Sequence, residues 1–500
     1  MNRTFSRRQF LSTSVAAAAA AASFPVPRLS LGKIAVREPM TRVLGRTGWE
    51  VTTLGLGGQA SIQRTPAGVD PLAIIVKALE RGVNYIDTSN RYAGSQLRFG
   101  EAFRALHLVP GQPGYDERRR RSLLLASKTV IRYGKGAHPE VNCRTDGPAG
   151  SHAADDIKRS LSQMFGDGKG NYPPGAYLDL FFIHTLDHPI EVDAIYEGLD
   201  APDPRAERIG ALATLCDFRD GTNRTGLNPR EEKLIRGIGI SGHTSSPVLM
   251  DCLQRDEQNL IDALLVSVNA NERRYQNHQF NAVPVAAAKD VGIIGMKVFA
   301  NGAMYTMEPR WPQSPDDVVR TVGSPELPSR DLVEYTLCTP GVATAVIGIG
   351  HIDSDPGRCQ IDQNLSGAQI RPTALSAGDR EAIERRAGEA KGGLTNWFQD
   401  AYQPLGAPRE PAVDLVVRRD QRIARLTWHT AYAAEHPLSR YEIRRNGRAV
   451  GTVEHRPQTT RAPFTFEDTV PGEAIPQYAI VTIDAAGQTA STDPIAPRLR

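Results

Sequence analysis

A rhythm constrains this chain more than any single motif. Between residues 40 and 395, short β-rich apolar runs alternate with longer amphipathic stretches. Eight runs stand out, at 53–58, 84–88, 123–129, 178–184, 235–241, 263–269, 293–299 and 343–349. Each is short and continuously apolar, as parallel strands buried on both faces must be. Helical periodicity over 71–81, 153–165, 276–290 and 331–339 separates several of them. Ser376, ahead of Asp379 and Glu381, predicts the N-cap of a closing helix over 376–390. Eight strand–helix units in this order predict a (β/α)8 TIM barrel over 40–395. A doubly wound open sheet is the alternative. Such a sheet usually carries G-x-G-x-x-G after its first strand, and Gly55, Gly57 and Gly58 do not form that pattern.

The 500 residues exceed one ordinary domain. A Pro- and Gly-rich stretch ending at Pro411 reads as a linker over 396–411. Beyond it the pattern changes to strands over 424–429, 441–445, 448–453 and 477–484, with Asn446-Gly447 as a hairpin turn. Trp428, Tyr441 and Tyr478 are spaced as core anchors, so a small all-β sandwich is expected over 412–500. The Trp, the Tyr-x-Ile strand and the late strand before Gly487 resemble a fibronectin type III module. At the other end, Ser6-Arg7-Arg8-Gln9-Phe10-Leu11 precedes Val15 and an unbroken alanine run, Ala16 to Ala22. This resembles a twin-arginine export signal, which places residues 1–35 outside the fold. The resemblance implies the twin-arginine export machinery as a partner and a periplasmic or extracellular destination. One or two disulfides become feasible there.

Charge and cysteine usage narrow the function. Lys+Arg 59 against Asp+Glu 56 leaves +3, which argues against a nucleic-acid protein. Cys143, Cys216, Cys252, Cys338 and Cys359 are scattered without a CxxC pair, so no structural metal is expected. No apolar run reaches the roughly 20 residues that span a bilayer, so no stable membrane anchor is expected. Three stretches read as insertions: 110–121, 133–151 and 200–230. The first ends in four arginines, Arg118 to Arg121, which read as a solvated charged face.

Four polar residues then claim attention. Asp87, Lys128 and His184 end the second, third and fourth predicted strands, and Tyr92 follows Asp87 by five positions. A barrel would bring all four to its mouth. Together with Leu44-Gly45-Arg46-Thr47-Gly48, Leu54-Gly55-Leu56-Gly57 and Asp87-Thr88-Ser89-Asn90-Arg91-Tyr92, they resemble the aldo-keto reductase family. The resemblance implies an NAD(P)-dependent oxidoreductase acting on a small carbonyl or hydroxyl substrate. Tyr92 would donate the proton, with a phenol pKa lowered by Lys128, which Asp87 holds; His184 would orient the carbonyl. No metal is required. NADP is the family's usual cofactor, and NAD fits as well. Its implied contacts are Ser241, Asn269, Met296, the turn at Gly348 and Gly350, Arg358 and Asn364. Several depart from the family pattern: Met296 stands where a Tyr is usual, Gln363 replaces a Glu, and Arg358 is out of register. The alternative is an exported binding or regulatory protein on a reductase scaffold, with the carboxyl-terminal module meeting a surface or partner.

Overall fold

The eight apolar runs become eight parallel strands closed into one barrel. They are β1 (Leu54–Gly57), β2 (Tyr85–Asp87), β3 (Leu124–Thr129), β4 (Leu178–Ile183), β5 (Ile235–Gly242), β6 (Ile261–Ser267), β7 (Gly292–Met296) and β8 (Val342–Gly348). The computed structural model describes residues 39–499 except 139, 142–143, 275–276, 306–307, 309, 395–403 and 419–420. The expected export signal and Cys143 lie outside the described residues.

Strand alternation sorts the core into two layers. Tyr85, Leu124, Ala126, Leu180, Phe182, Ala263, Leu265 and Ile294 fill the barrel interior. Intervening residues such as Ile86, Leu125 and Phe181 pack outward against the helices. An amino-terminal hairpin, Thr41–Val43 with Glu50–Thr52, puts Leu44, Val51 and Trp49 against the interior layer. The helix Ala153–Phe165 falls where its periodicity placed it. The last helix, Ala377–Glu389, starts from Ser376 with reciprocal Ser376–Asp379 capping.

Three expectations need correction. The helix expected over 276–290 is only Ala282–Ala288, because Asn277 and His278 spend their side chains on neighbouring elements. The stretch 200–230 is not all loop: it contains the helix Ala211–Asp220, which buries Leu212, Leu215 and Phe218 and ends on left-handed Gly221. Its segment Ile209–Gly210 pairs antiparallel with Tyr133–Lys135, so two insertions join in a small sheet. The arginine run is not wholly solvated either. Arg120 is 1% exposed, bonds the buried carboxylate of Asp179 at 3.2 Å and stacks 4.0 Å from the Tyr177 ring centre. The four described cysteines are buried, and none is paired with another.

The carboxyl-terminal strands are β9 (Arg409–Arg418), β10 (Gln421–His429), β11 (Leu438–Arg445), β12 (Arg448–Glu454), β13 (Phe464–Thr469), β14 (Tyr478–Asp484), β15 (Thr489–Ser491) and β16 (Arg498–Leu499). They form two four-stranded sheets, β13-β10-β9-β16 and β12-β11-β14-β15. Strand β9 starts inside the stretch expected to be linker. Trp428, Tyr441, Phe464 and Tyr478 make the core, with Trp428 stacked on Phe464 at 5.8 Å. Asn446 and Gly447 both take positive φ, +49° and +79°, as a two-residue hairpin turn demands. The sheets also bond to the barrel. Asn281 exchanges two hydrogen bonds with the Ala433 backbone (2.9 and 3.0 Å), Asn277 donates to the Ala434 carbonyl, and Gln254 donates to the Gln458 carbonyl at 2.9 Å. Arg461 pairs with Asp251 at 2.8 Å. Among the described residues, no helix is long and apolar enough to cross a membrane.

Candidate active site

Alternation along the strands decides which polar groups meet. In β2, β3 and β4 the inward residues are Tyr85, then Leu124 and Ala126, then Leu180 and Phe182. Two residues further along each strand stand Asp87, Lys128 and His184. The same period that builds the apolar interior therefore sets these three as a polar cap upon it. Gly58 is needed beside them. Its amide donates to the Asp87 carbonyl at 2.6 Å, and a Cβ there would stand 2.5 Å from Ser95 Oγ.

Lys128 is fully buried, and its ammonium donates to Asp87 Oδ2 at 2.5 Å and to the Thr88 carbonyl at 2.7 Å. Desolvation dominates both partners: burial pushes the Asp87 carboxyl up and the Lys128 ammonium down, against their mutual attraction. Such a pair holds only because each charge answers the other. The Lys128 ammonium also lies 4.8 Å from the centre of the Tyr92 ring. The Tyr92 ring meets that of His184 edge-on, with centroids 5.8 Å apart and planes at 83°. His184 Nδ1 shares a 3.2 Å hydrogen bond with Ser89 Oγ. Its pKa is pulled well below the usual histidine value by burial, then by the charge of Lys128, so the ring is neutral at pH 7.

One electrostatic expectation is overturned. The Tyr92 phenol is not held below its usual value. Burial raises its pKa well above 10, and the charge of Asp87 raises it further. The ammonium lies against the ring and is compensated by Asp87, so its field does not offset the lost hydration.

The loops that carry these groups are tied down. Asn90 donates through its amide to the Asp156 carbonyl (3.0 Å) and Ser160 Oγ (2.8 Å), fixing the loop that bears Tyr92 to the helix Ala153–Phe165. Thr145 of the expected insertion bonds Asp156 at 3.0 Å, and the Asp146 amide donates to the Asn90 carbonyl at 3.2 Å. Arg132 donates to the His184 and Thr185 carbonyls at 2.8 and 2.6 Å and pairs with Glu191 at 2.7 Å. The end of β4 is thereby held on both sides.

Asp87 and Tyr92 line a cleft of about 980 Å³, counted to its open mouth. Of the seven expected cofactor contacts, Met296 and Gly348 line it. Ser241 and Asn269 are buried at strand ends but are committed to backbone: Ser241 Oγ accepts from the Thr185 amide at 3.0 Å, and Asn269 Oδ1 accepts from the Asn271 and Glu272 amides. Gly350 backs onto another loop, because a Cβ there would stand 2.0 Å from the Val319 carbonyl oxygen. The Gly350 and His351 amides both donate to Gln360 Oε1, at 2.7 and 2.9 Å. Arg358 is exposed and paired with Asp353 and Asp355 at 3.2 and 3.6 Å. Asn364 is buried within the helix Gln360–Gly367, and it does not line the cleft.

Sequence reasoning passed over Lys297, Arg64, Gln59 and Gln360, all of which line the cleft. Lys297 follows inward-facing Met296 at the end of β7, where alternation alone would turn it outward. Tested against the dinucleotide implied by the resemblance, the inner end fits. Close-packed Gly57 and Gly348 form a wall, Asp87 Oδ1 is buried without a partner, and Lys297 and Arg64 bring positive charge. The outer end does not fit the expected grip, since the Gly350 amide is spent on Gln360 and Arg358 on surface acids. Among the described residues, no group of three or more His, Cys, Asp or Glu could hold a metal.

Residues 53–321 match the profile of the aldo/keto reductase family. The chain is similar to a putative aldo-keto reductase from Pseudomonas aeruginosa, at 20% identity over 67% of this chain and 96% of that one, with a TM-score of 0.40. It is also similar to an aldo-keto reductase from Klebsiella pneumoniae in complex with NADPH, at 16% identity over 73% and 99% of the two chains, with a TM-score of 0.41. The comparison with curated proteins found no match.

Proposed function

Since the chain belongs to the aldo/keto reductase family, whose members are oxidoreductases, we propose that it moves hydride between NADP, or NAD, and a small carbonyl or hydroxyl compound in this cleft. The observation that carries the reading is the convergence of Asp87, Tyr92, Lys128 and His184 from three strand ends. When bound, the nicotinamide supplies or accepts the hydride. Everything else falls to this chain.

In the reducing direction the carbonyl oxygen gains charge and needs a proton. Tyr92 stays protonated across the physiological range, so it is always in its donor state. A phenol this weakly acidic gives up its proton only as the oxygen approaches an alkoxide, so transfer follows the growth of charge. Lys128, at the Tyr92 ring, then stabilises the phenolate, and Asp87 holds Lys128 in place. Neutral His184 donates through Nε2 to the same oxygen, because Nδ1 is engaged with Ser89. The phenolate regains its proton from solvent.

The test is Tyr92→Phe. Turnover is expected to fall by roughly 10²–10⁴-fold, while NADP binding, read by nucleotide fluorescence, persists. Retained turnover would remove Tyr92 from the role of donor.

Two further parts of the reading rest on sequence. The Arg7-Arg8 segment supports export by the twin-arginine route to the periplasm or beyond. Arg7→Lys with Arg8→Lys should keep the protein in the cytoplasm on fractionation, and unchanged export would exclude that route. The Trp428, Tyr441 and Tyr478 core supports a fibronectin type III-like assignment for the sandwich.

A further inference from the structure

The cleft carries more positive charge than proton transfer requires. Lys297 lies one residue past Met296 and takes φ +57°, a left-handed conformation that costs an L-residue roughly 1–2 kcal/mol. Alternation alone would turn it toward the helices. The left-handed turn instead brings it to the cleft, where its ammonium donates to Gln59 Oε1 at 2.9 Å and lies 4.8 Å from the Trp311 ring centre. Arg64, from the segment after β1, lines the same cleft. Asp317, the carboxylate whose charge Arg64 feels, is already held by Arg310 at 2.5 Å and by the Gln313 and Ser314 amides. Two cations from separate elements thus face one space, with Lys128 behind them.

We infer that Lys297, Arg64 and Gln59 form a binding site for an oxyanion, phosphate or carboxylate, beside the Asp87–Tyr92–Lys128–His184 cluster. The inference rests on the reading of this cleft as the reaction site and adds a chemical requirement to it. The oxyanion has two candidate sources: the diphosphate of the dinucleotide, or an acidic group on the substrate itself.

The charge of Lys297 is conditional. Burial is the largest influence and Lys128 adds to it, bringing the ammonium down to about 7; Asp87 opposes them and Arg64 reinforces them. His184 and His243 also face this charge and are held neutral, burial being the first cause for each. A bound anion favours the protonated form of Lys297, so binding above pH 7 takes up a proton. Affinity for the anion should then fall above pH 7, by up to about tenfold per pH unit.

The experiment is equilibrium binding of inorganic diphosphate and of oxalate to the full chain from pH 6 to pH 9, read by tryptophan fluorescence and calorimetry. The wild-type chain should show the pH dependence just described. Lys297→Met should lose at least tenfold in affinity at pH 6 and most of the pH dependence. Lys297→Arg should keep the affinity and lose the pH dependence, and it decides the matter if the methionine variant fails to fold. Saturating NADP then separates the sources. Displacement of the probe assigns the site to the diphosphate, and a probe that binds alongside NADP assigns it to the substrate. Wild-type chain that binds neither probe, or variants with unchanged affinity and pH profile, would overturn the inference. None of these readouts needs turnover, so failure of the oxidoreductase reading would show separately, as absent turnover and absent NADP binding.

Discussion

Asp87, Lys128 and His184 stand at strand ends of a closed barrel, whereas Gly350, Arg358 and Asn364 follow the last strand. The first three meet in one cluster with Tyr92. Each of the other three is engaged within the chain: Gly350 packs on Val319, Arg358 pairs with Asp353 and Asp355, and Asn364 is buried in a helix. A strand end is held between two bonded neighbours in a closed ring of eight strands, so its side chains inherit their direction from the whole barrel. A residue after the last strand is positioned by whichever contacts its own segment finds. Here those contacts centre on Gln360, whose amide nitrogen donates to the Val319 and Thr321 carbonyls at 3.2 and 2.7 Å while its oxygen accepts from Gly350 and His351.

Substitutions can break or sharpen this contrast, and they follow from the largest expected effect to the smallest. Lys128→Met should have the largest effect on stability. It leaves the Asp87 carboxylate buried without its partner, at a cost of about 3–5 kcal/mol, measurable by urea unfolding; Asp87→Asn added to it should recover part of the loss. Gln360→Ala comes next. It strands two backbone amides and two carbonyls at the outer end, and about 1–3 kcal/mol should go, with a change in NADP affinity once the Gly350 amide is released.

The third test uses pH. His184 is held neutral when folded, with its pKa below that of the unfolded chain. The unfolded state therefore binds more protons below pH 6.5, and stability is present above that pH and lost as pH falls. Each such histidine should contribute a slope of up to about 1.4 kcal/mol per pH unit below 6.5. His184→Gln should flatten the curve, whereas Gln360→Ala should lower it without changing its slope. The smallest effect belongs to Arg358→Ala. Its guanidinium is engaged with Asp353 and Asp355, so NADP affinity should change less than about threefold, within the usual range for an exposed ion pair. A larger loss in equilibrium binding would return Arg358 to the cofactor site and weaken the contrast.

The same contrast explains what could be read in advance. The eight strands, the helix Ala153–Phe165 and the Ser376 cap follow from local periodicity and capping chemistry, and all three are present. Asp87, Lys128 and His184 follow from that periodicity carried two residues past the apolar interior. Arg120 could not be read, because it sits in a short helix and its partner Asp179 lies 59 positions away, on β4. Gln360 was hidden for a similar reason, since the two carbonyls it reaches are 41 and 39 positions distant. Lys297 was concealed by one dihedral angle: alternation assigns it to the wrong face, and only its positive φ reverses that. The raised pKa of Tyr92 was missed because a charge can be seen in a sequence and the loss of water around a phenol cannot.

The bonds from Asn277, Asn281, Gln254 and Asp251 to the carboxyl-terminal sheets make those sheets a handle rather than a tether. A module on a slack linker samples every orientation, and whatever it grips learns nothing of where the barrel points. Here an object meeting the outer face of the sandwich would find the mouth at a set angle and distance. Alignment of the catalytic opening would come with attachment itself, without further rearrangement of the chain.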